Sequence, residues 1–214
     1  MHGQRKHETG RVQGPDLRAM WRALFSPIGL LLFLAFLVSF GLTAFEGVFG
    51  LYALERFNYG TTEVGILLTV IGLLSAVVQG VLTGPATHRW GEVGVIRASL
   101  VGNAVGFVIM LLATNLVTVL LTISFFIISN AILCPVVSAL TSKLATGGQG
   151  VAMGLNNAFM SLGRSVGPVW AGMLFDIKIS YPYLSGDLVM LIGFVISLVW
   201  LRAEMVERPV AFEL

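Results

Sequence analysis

Two charged residues lie inside long apolar runs of this 214-residue chain, where they could carry proton or ion chemistry. Glu46 belongs to the run from Ile28 to Ala53, and Arg164 belongs to the stretch SLGRSVGPVWAGML. An ionisable side chain at membrane depth is costly, and by default it faces a helix bundle or a watery cavity. Both residues are therefore candidates for a site that transports protons or substrate.

Glu46 lies ~7.5 Å past the midpoint of its run, at ~1.5 Å of rise per residue. A carboxylate at that depth is disfavoured when charged, so it can hold a proton near neutral pH. Proton-coupled antiport needs such a group, because the proton must leave when a cationic drug arrives and return from outside. The alternative is a glutamate that snorkels to the outer interface beside Glu55 and Arg56. We favour the transport role.

Arg164 has two open interpretations. It is either a fixed positive charge that stabilises an ionised carboxylate and opposes a second cation, or a structural pin. As a pin it would bind backbone carbonyls that Pro168 frees by breaking the helix. Small residues around Pro168 predict a packing face at this kinked helix: Gly163, Gly167, Ala171 and Gly172.

Other polar and aromatic side chains lie in or near the apolar runs. Asn130, five residues before Pro135, is the best cavity candidate among the amides. Hydrogen bonds between helices are the favoured interpretation for Gln79, Asn103, Asn156 and Asn157. Five aromatic residues could offer a surface to a hydrophobic cation, although core or lipid-facing positions are more common: Phe40, Phe45, Phe49, Tyr52 and Phe159.

The composition indicates which secondary-structure elements position these residues. Hydrophobic residues make up 56% of the chain and charged residues 11%, and the mean hydropathy is +0.89. An average soluble domain has ~25% charged residues. Most of the six apolar runs approach or exceed the ~20 residues that a membrane-spanning helix needs, and the last is short unless it begins near Tyr183. These runs are Ile28 to Ala53, Val64 to Pro85, Gly94 to Ala113, Val117 to Ser138, Gly150 to Leu174 and Asp187 to Leu201.

We therefore predict an all-α, polytopic membrane protein with six transmembrane helices arranged as a 3+3 inverted repeat. Residues 1–27 form a basic, linker-like cytoplasmic segment, residues 28–202 the bundle, and residues 203–214 a cytoplasmic tail. The positive-inside rule places both termini in the cytoplasm. Of the 13 Lys and Arg residues, the outer loops hold Arg56 and Lys178, whereas ten lie on the inner side: Arg5, Lys6, Arg11, Arg18, Arg22, Arg89, Arg97, Lys143, Arg202 and Arg208.

Several function classes are excluded. The net charge of +2 and the scattered basic residues argue against a nucleic-acid partner. A single cysteine, Cys134, rules out a disulfide within the chain and a Cys-x-x-Cys redox or metal motif. No phosphate-binding glycine loop, HExxH or G-x-S-x-G pattern is present, so we predict neither an enzyme nor a bound cofactor or metal.

Three stretches carry a specific resemblance. The segment Ser39–Gly65 is similar to the seventh span and following loop of Gram-positive multidrug efflux pumps of the major facilitator superfamily. The segment Gly148–Ile177 resembles their eleventh span. GPATHRWGE resembles the second copy of their cytoplasmic-loop motif, on Gly84, Arg89 and Gly91. The resemblance covers Ile28 to Leu201, which corresponds to the C-terminal six-span half of a twelve-span transporter.

The resemblance implies a multi-pass cell-membrane protein that exports hydrophobic, often cationic small molecules in exchange for protons. Within the lipid bilayer its expected partner is an N-terminal half or, less favoured, a second copy. His88 and Glu92 depart from the loop motif, and no charged residue precedes Pro135 as in some relatives, so these two segments are not expected to relay charge. The alternative is a truncated or split gene product, or a non-transporting membrane subunit, without activity on its own.

Overall fold

The computed structural model describes residues 27–145 and 148–201, which form helices joined by short turns. No strand occurs in these two ranges, so the predicted all-α class is confirmed. The predicted linker, except for its last residue, and the predicted tail lie outside the described residues. The helices are α1 (Pro27–Phe57), α2 (Thr61–Val77), α3 (Thr83–Met110), α4 (Leu116–Lys143), α5 (Gln149–Ile177) and α6 (Tyr181–Trp200), with a π-helical turn at Val78–Leu82.

Four helical stretches in the described part of the chain are long and apolar enough to cross a membrane: Ile28–Phe57, Thr61–Met110, Leu116–Lys143 and Tyr181–Val199. The second stretch has 50 residues, or ~75 Å of helix, which is more than twice the ~30 Å hydrocarbon core. Its helical geometry breaks at Gly91, whose φ is 69° and ψ 160°. This break matches the loop expected between the second and third apolar runs.

The helix α5 is not one of these four stretches, although it has 29 residues. Polar residues interrupt its apolar sequence, notably Asn156, Asn157 and Arg164. The last apolar run does begin early, as it must to span, because α6 starts at Tyr181 and has 20 residues. The total of six membrane spans, and their division into two inverted repeats, remain predictions.

A widened turn separates α2 from α3. The π-helical segment Val78–Leu82 ends three residues before Pro85. Proline lacks an N–H, and its ring clashes with the carbonyl four residues earlier, which here is that of Val81. A π-turn relieves such a clash by adding a residue to the turn, and π-turns of this kind are frequent at functional sites. Pro85 thus explains why the helix widens next to Gln79.

The helix α5 packs closely along α1 through its small residues. A Cβ atom at Gly163 would lie 2.5 Å from the carbonyl oxygen of Phe36, and one at Gly167 would lie 2.6 Å from that of Phe40. Ala171 continues the row and is fully buried. The backbones of the two helices can approach this closely only because these positions carry almost no side chain. Gly163, Gly167 and Ala171 therefore form the contact between α5 and α1.

We expect Gly163→Ala and Gly167→Ala each to destabilise the folded bundle by roughly 1–3 kcal/mol, because the added methyl group overpacks the α1–α5 contact. Gly172→Ala is the matched control, since a Cβ there meets no heavy atom within 4 Å. The inclusion of Gly172 in the packing face was wrong, because it lies ~100° around the helix from Ala171. Thermal unfolding in detergent measures the effect. Equal unfolding temperatures for all three variants would contradict it.

Six aromatic rings from four helices form the centre of the core. Phe45 and Tyr52 of α1 contact rings of α3, α4 and α6, while Phe49 stacks on Phe45, and the contacting pairs have centroids 4.6–6.5 Å apart. Their partners are Phe107, Phe126 and Tyr183. These α1 rings are buried, so they are core residues rather than the cation-binding surface considered from the sequence. The cluster ties α1 to α3, α4 and α6.

Candidate functional site

A cavity of about 320 Å³ lies between α1, α2, α4 and α5. The residues from α1 and α2 are spaced four apart and those from α4 fall three or four apart in part, so each set shares one face of its helix, whereas α5 contributes a single residue. The wall contains both apolar side chains and polar groups. The lining residues are Leu42 and Glu46 of α1, Ile71 and Ser75 of α2, Gln79 of the π-turn, Ile127, Asn130, Ala131, Cys134 and Pro135 of α4, and Arg164 of α5.

The cavity brings together all three residues that the sequence suggested for transport, namely Glu46, Asn130 and Arg164. Glu46 and Arg164 are both exposed in the chain by itself, whereas Asn130 is buried at 3% exposure. Their roles stay predictions.

Glu46 and Arg164 are oppositely charged residues on the wall of one cavity. They do not form a salt bridge, since the one salt bridge within the described ranges joins Lys143 to Glu92. Glu46 therefore lies on the cavity wall without an ion-pair partner among the described residues. Glu55 and Arg56 lie ~13.5–15 Å farther along α1, so Glu46 is not grouped with them.

The packing of α5 positions Arg164. Gly163 and Gly167 are buried against α1, and Arg164 lies one residue along from Gly163 at the edge of that contact. Its guanidinium donates no hydrogen bond to any residue in the two described ranges. The pin to backbone carbonyls is therefore not seen there. Pro168 has no N–H for the carbonyl of Arg164, so that carbonyl loses its usual helical partner.

Asn130 is held by a second amide. Its Nδ2 donates to Oδ1 of Asn103 at 3.1 Å, and Nδ2 of Asn103 donates to the backbone oxygen of Ser99 at 2.8 Å. Asn103 is completely buried, and it does not line the cavity. The hydrogen bonds link α3 to α4, as expected for amides between helices. Asn156 similarly donates to Oγ of Ser138 at 3.1 Å.

Known proteins with similar sequences identify the family. A family model described as Major Facilitator Superfamily matches residues 31–212, which is most of the chain. The chain belongs to the major facilitator superfamily. This agrees with the helical architecture.

Curated relatives of this major facilitator chain are bacterial resistance proteins. It is 31% identical over 167 residues to multidrug resistance protein 2 of Bacillus subtilis, covering 78% of this chain and 42% of that protein. It is 30% identical over 199 residues to multidrug resistance protein 1 of the same organism, covering 92% and 50%. Quinolone resistance protein NorA of Staphylococcus aureus is 30% identical over 203 residues, covering 93% and 51%. The chain spans about half the length of these relatives.

A solved structure supports the major facilitator fold. The crystal structure of the human organic anion transporter MFSD10 (TETRAN) superposes with a TM-score of 0.73. The match covers 79% of this chain and 40% of that chain, at 22% sequence identity. At that identity the similarity establishes the fold alone. In both kinds of comparison the match covers about half or less of the other protein's length.

The loop motif of this facilitator chain lies away from the cavity. Gly91 is the one member of the motif with a special backbone requirement, because its positive φ suits glycine. Arg89 is exposed, and a Cβ at Gly84 would meet no atom within 4 Å. Glu92, where the family motif usually has a basic residue, forms a salt bridge with Lys143 at the end of α4. The acidic residue thus ties the loop to its neighbouring helix.

Sequence reasoning missed three polar cavity residues and one cap. Gln79, Ser75 and Cys134 line the wall, although Gln79 was assigned to hydrogen bonds between helices. The signal for Gln79 was Pro85, which predicts a distorted turn just before it. Arg97, counted as a loop charge, donates through Nη2 to the carbonyl oxygens of Ser197, at 3.2 Å, and Leu201. A cation there stabilises the C-terminal end of α6.

The described ranges hold no group of three or more His, Cys, Asp or Glu that could bind a metal ion. The polar groups of the cavity are one carboxylate, one guanidinium, two amides, one hydroxyl and one thiol.

Proposed function

We propose that this chain is the C-terminal half of a proton-coupled multidrug efflux transporter that exports hydrophobic, often cationic small molecules. The observation that carries the proposal is Glu46 on the wall of a cavity that also presents Arg164 and Asn130. Ligand sites commonly combine apolar walls with a few polar groups that orient the ligand. The curated relatives are named for multidrug or quinolone resistance, which supports the substrate class.

In this proposal Glu46 alternates between a protonated and a charged form. The protonated form is stable in an apolar, water-poor cavity, whereas the charged form is stable when a cation occupies the cavity. A cationic drug and a proton then compete for one carboxylate. Because only one of them is bound at a time, outward movement of drug is coupled to inward movement of protons.

Arg164 supplies a fixed positive charge on the wall of the same cavity. It stabilises the charged form of Glu46 once the proton has left, and it opposes simultaneous binding of a proton and a drug cation. The missing hydrogen bond at Pro168 and the close contact at Gly163 and Gly167 allow α5 to shift against α1 between two access states. In this proposal α5 is the mobile wall of the cavity.

The partner we propose is an N-terminal half, and the site is completed at the interface between the halves. Glu46, Gln79 and Arg164 are exposed in this chain alone, and charged groups exposed to lipid are unfavourable. The cavity volume lies at the lower end of the ~300–1,000 Å³ typical of ligand pockets, which leaves room for walls from a partner. In this arrangement the protein lies in the plasma membrane with both ends of the chain in the cytoplasm.

Dye efflux tests the proposal against its alternative. Vesicles that contain this chain with a matching N-terminal half, taken from the part of a Bacillus relative that the chain does not cover, are loaded with ethidium. We expect efflux that depends on an imposed pH gradient and stops when the gradient is collapsed. Absence of gradient-dependent efflux, with both halves present and inserted, would favour a non-transporting subunit or an inactive gene product.

Variants of Arg164 separate charge from geometry. We expect Arg164→Ala to lower dye efflux about tenfold and Arg164→Lys to lower it less, because lysine keeps the charge but loses the planar fork. Ser165→Ala, a change at the next residue of α5, is the control. Equal losses for Lys and Ala would support the carbonyl pin instead. In a Cys134→Ser background, Arg164→Cys should react with aqueous maleimides, and labelling by lipid-soluble reagents alone would contradict the cavity position.

A further inference from the structure

The amide of Asn130 is oriented by two linked hydrogen bonds, and the first of them ends on a backbone oxygen that can only accept. The backbone oxygen of Ser99 can accept but not donate, so the side chain of Asn103 must turn its NH₂ group toward it, at 2.8 Å. This fixes Oδ1 of Asn103 as the atom that faces Asn130. The directions of both hydrogen bonds, from Asn103 to Ser99 and from Asn130 to Asn103, therefore follow from the Ser99 carbonyl.

These hydrogen bonds determine which polar atom of the Asn130 side chain is already used and which is not. Because Oδ1 of Asn103 accepts, Asn130 must present its Nδ2 to it, at 3.1 Å. The carbonyl oxygen of Asn130 accepts no hydrogen bond from the described residues, and Asn130 lines the cavity. A free amide could offer either its donors or its acceptor to a ligand. This amide is held so that its acceptor remains unused.

We infer that Asn103 is a specificity-determining residue that acts through Asn130, by fixing the Asn130 carbonyl as an acceptor for ligands that carry N–H donors. Asn103 is a positioning residue, since it is completely buried and does not touch the cavity. The inference rests on the proposed function and deepens it. Glu46 selects for positive charge, whereas the Asn103–Asn130 pair selects among cations for those that donate hydrogen bonds.

Two cationic dyes separate these two kinds of selectivity. Ethidium carries amino groups that donate hydrogen bonds, whereas tetraphenylphosphonium is a hydrophobic cation without N–H or O–H groups. In liposomes that hold the full chain with its matching N-terminal half, binding of each dye is measured for the unsubstituted protein and for Asn103→Leu. We expect about tenfold weaker binding of ethidium and unchanged binding of tetraphenylphosphonium, as for loss of one hydrogen bond to a charged ligand.

Two further variants distinguish positioning from a structural role. Asn103→Asp keeps an oxygen that accepts from Asn130 in either protonation state, so it should restore ethidium binding. In an Asn130→Leu background, Asn103→Leu should have no additional effect on the ratio of the two affinities. If Asn103→Leu fails to insert, Asn103→Ala removes the same amide with less bulk and takes its place.

The possible results distinguish failure of this inference from failure of the proposed function. Equal weakening of both dyes, or no change in either, would overturn the role of Asn103 while leaving the drug site intact. Loss of both dyes in Asn103→Leu and Asn103→Ala would assign Asn103 to folding and also overturn it. Binding of neither dye by the unsubstituted chain together with its matching N-terminal half would overturn the proposed function and this inference with it.

Discussion

Replacement of Glu46 by glutamine is expected to abolish the dependence of cationic dye efflux on the proton gradient while leaving membrane insertion intact. Glutamine has nearly the same shape but neither binds a proton nor carries a charge, so the competition between drug and proton disappears. Dye affinity should also fall, by about tenfold, because the cavity loses its negative charge. Efflux from vesicles at several imposed pH gradients measures the coupling.

The control for this prediction is on the same helix. Glu55→Gln removes an exposed carboxylate near the end of α1, outside the cavity, and should leave coupling unchanged. Glu46→Asp keeps a titratable group on a shorter side chain, so it should retain coupling with reduced affinity. Unchanged efflux and pH dependence in Glu46→Gln would remove Glu46 from the mechanism.

The second large effect concerns the partner: the chain is expected not to transport as a monomer. Alternating access in facilitators is largely the rocking of one helix bundle against another around a site between them. This chain supplies one cavity face, with Glu46 and Arg164 exposed. Addition of a matching N-terminal half should therefore raise gradient-dependent efflux from background to a measurable rate.

The decisive comparison for that prediction uses dilute reconstitution. The chain is shown to be monomeric in detergent and is reconstituted at under one copy per vesicle, with or without the N-terminal half. A rate that rises with the square of the chain density in the absence of the other half would point to a second copy as partner. Dye movement against a gradient by single copies would contradict the requirement for any partner.

Much of the candidate site was predictable from residue types alone. Glu46 and Arg164 are conspicuous because charge in an apolar run is costly, and that cost is a property of sequence. The small residues at Gly163, Gly167 and Ala171 follow a helical spacing, so their common face was also predictable. Gly172 was a failure of helical phase, since a neighbour in sequence points ~100° away.

The remaining features of the site depend on contacts that no local sequence pattern specifies. Asn103 and Asn130 are 27 residues apart, and only the packing of α3 on α4 shows that one amide orients the other. Gln79 reaches the cavity wall through the π-turn before Pro85, and sequence periodicity assumes a regular helix there. Arg97 looked like a loop charge because the carbonyls that it caps belong to a helix about 100 residues later.

Proton release on drug binding tests the central claim most directly. Ethidium is added to the chain and its matching N-terminal half in weakly buffered detergent solution near neutral pH, and a pH indicator reports released protons. If drug and proton compete for Glu46, the unsubstituted protein releases protons in proportion to the dye bound, and Glu46→Gln binds residual dye without release. Binding without proton release, or equal release by Glu46→Gln, would contradict the account.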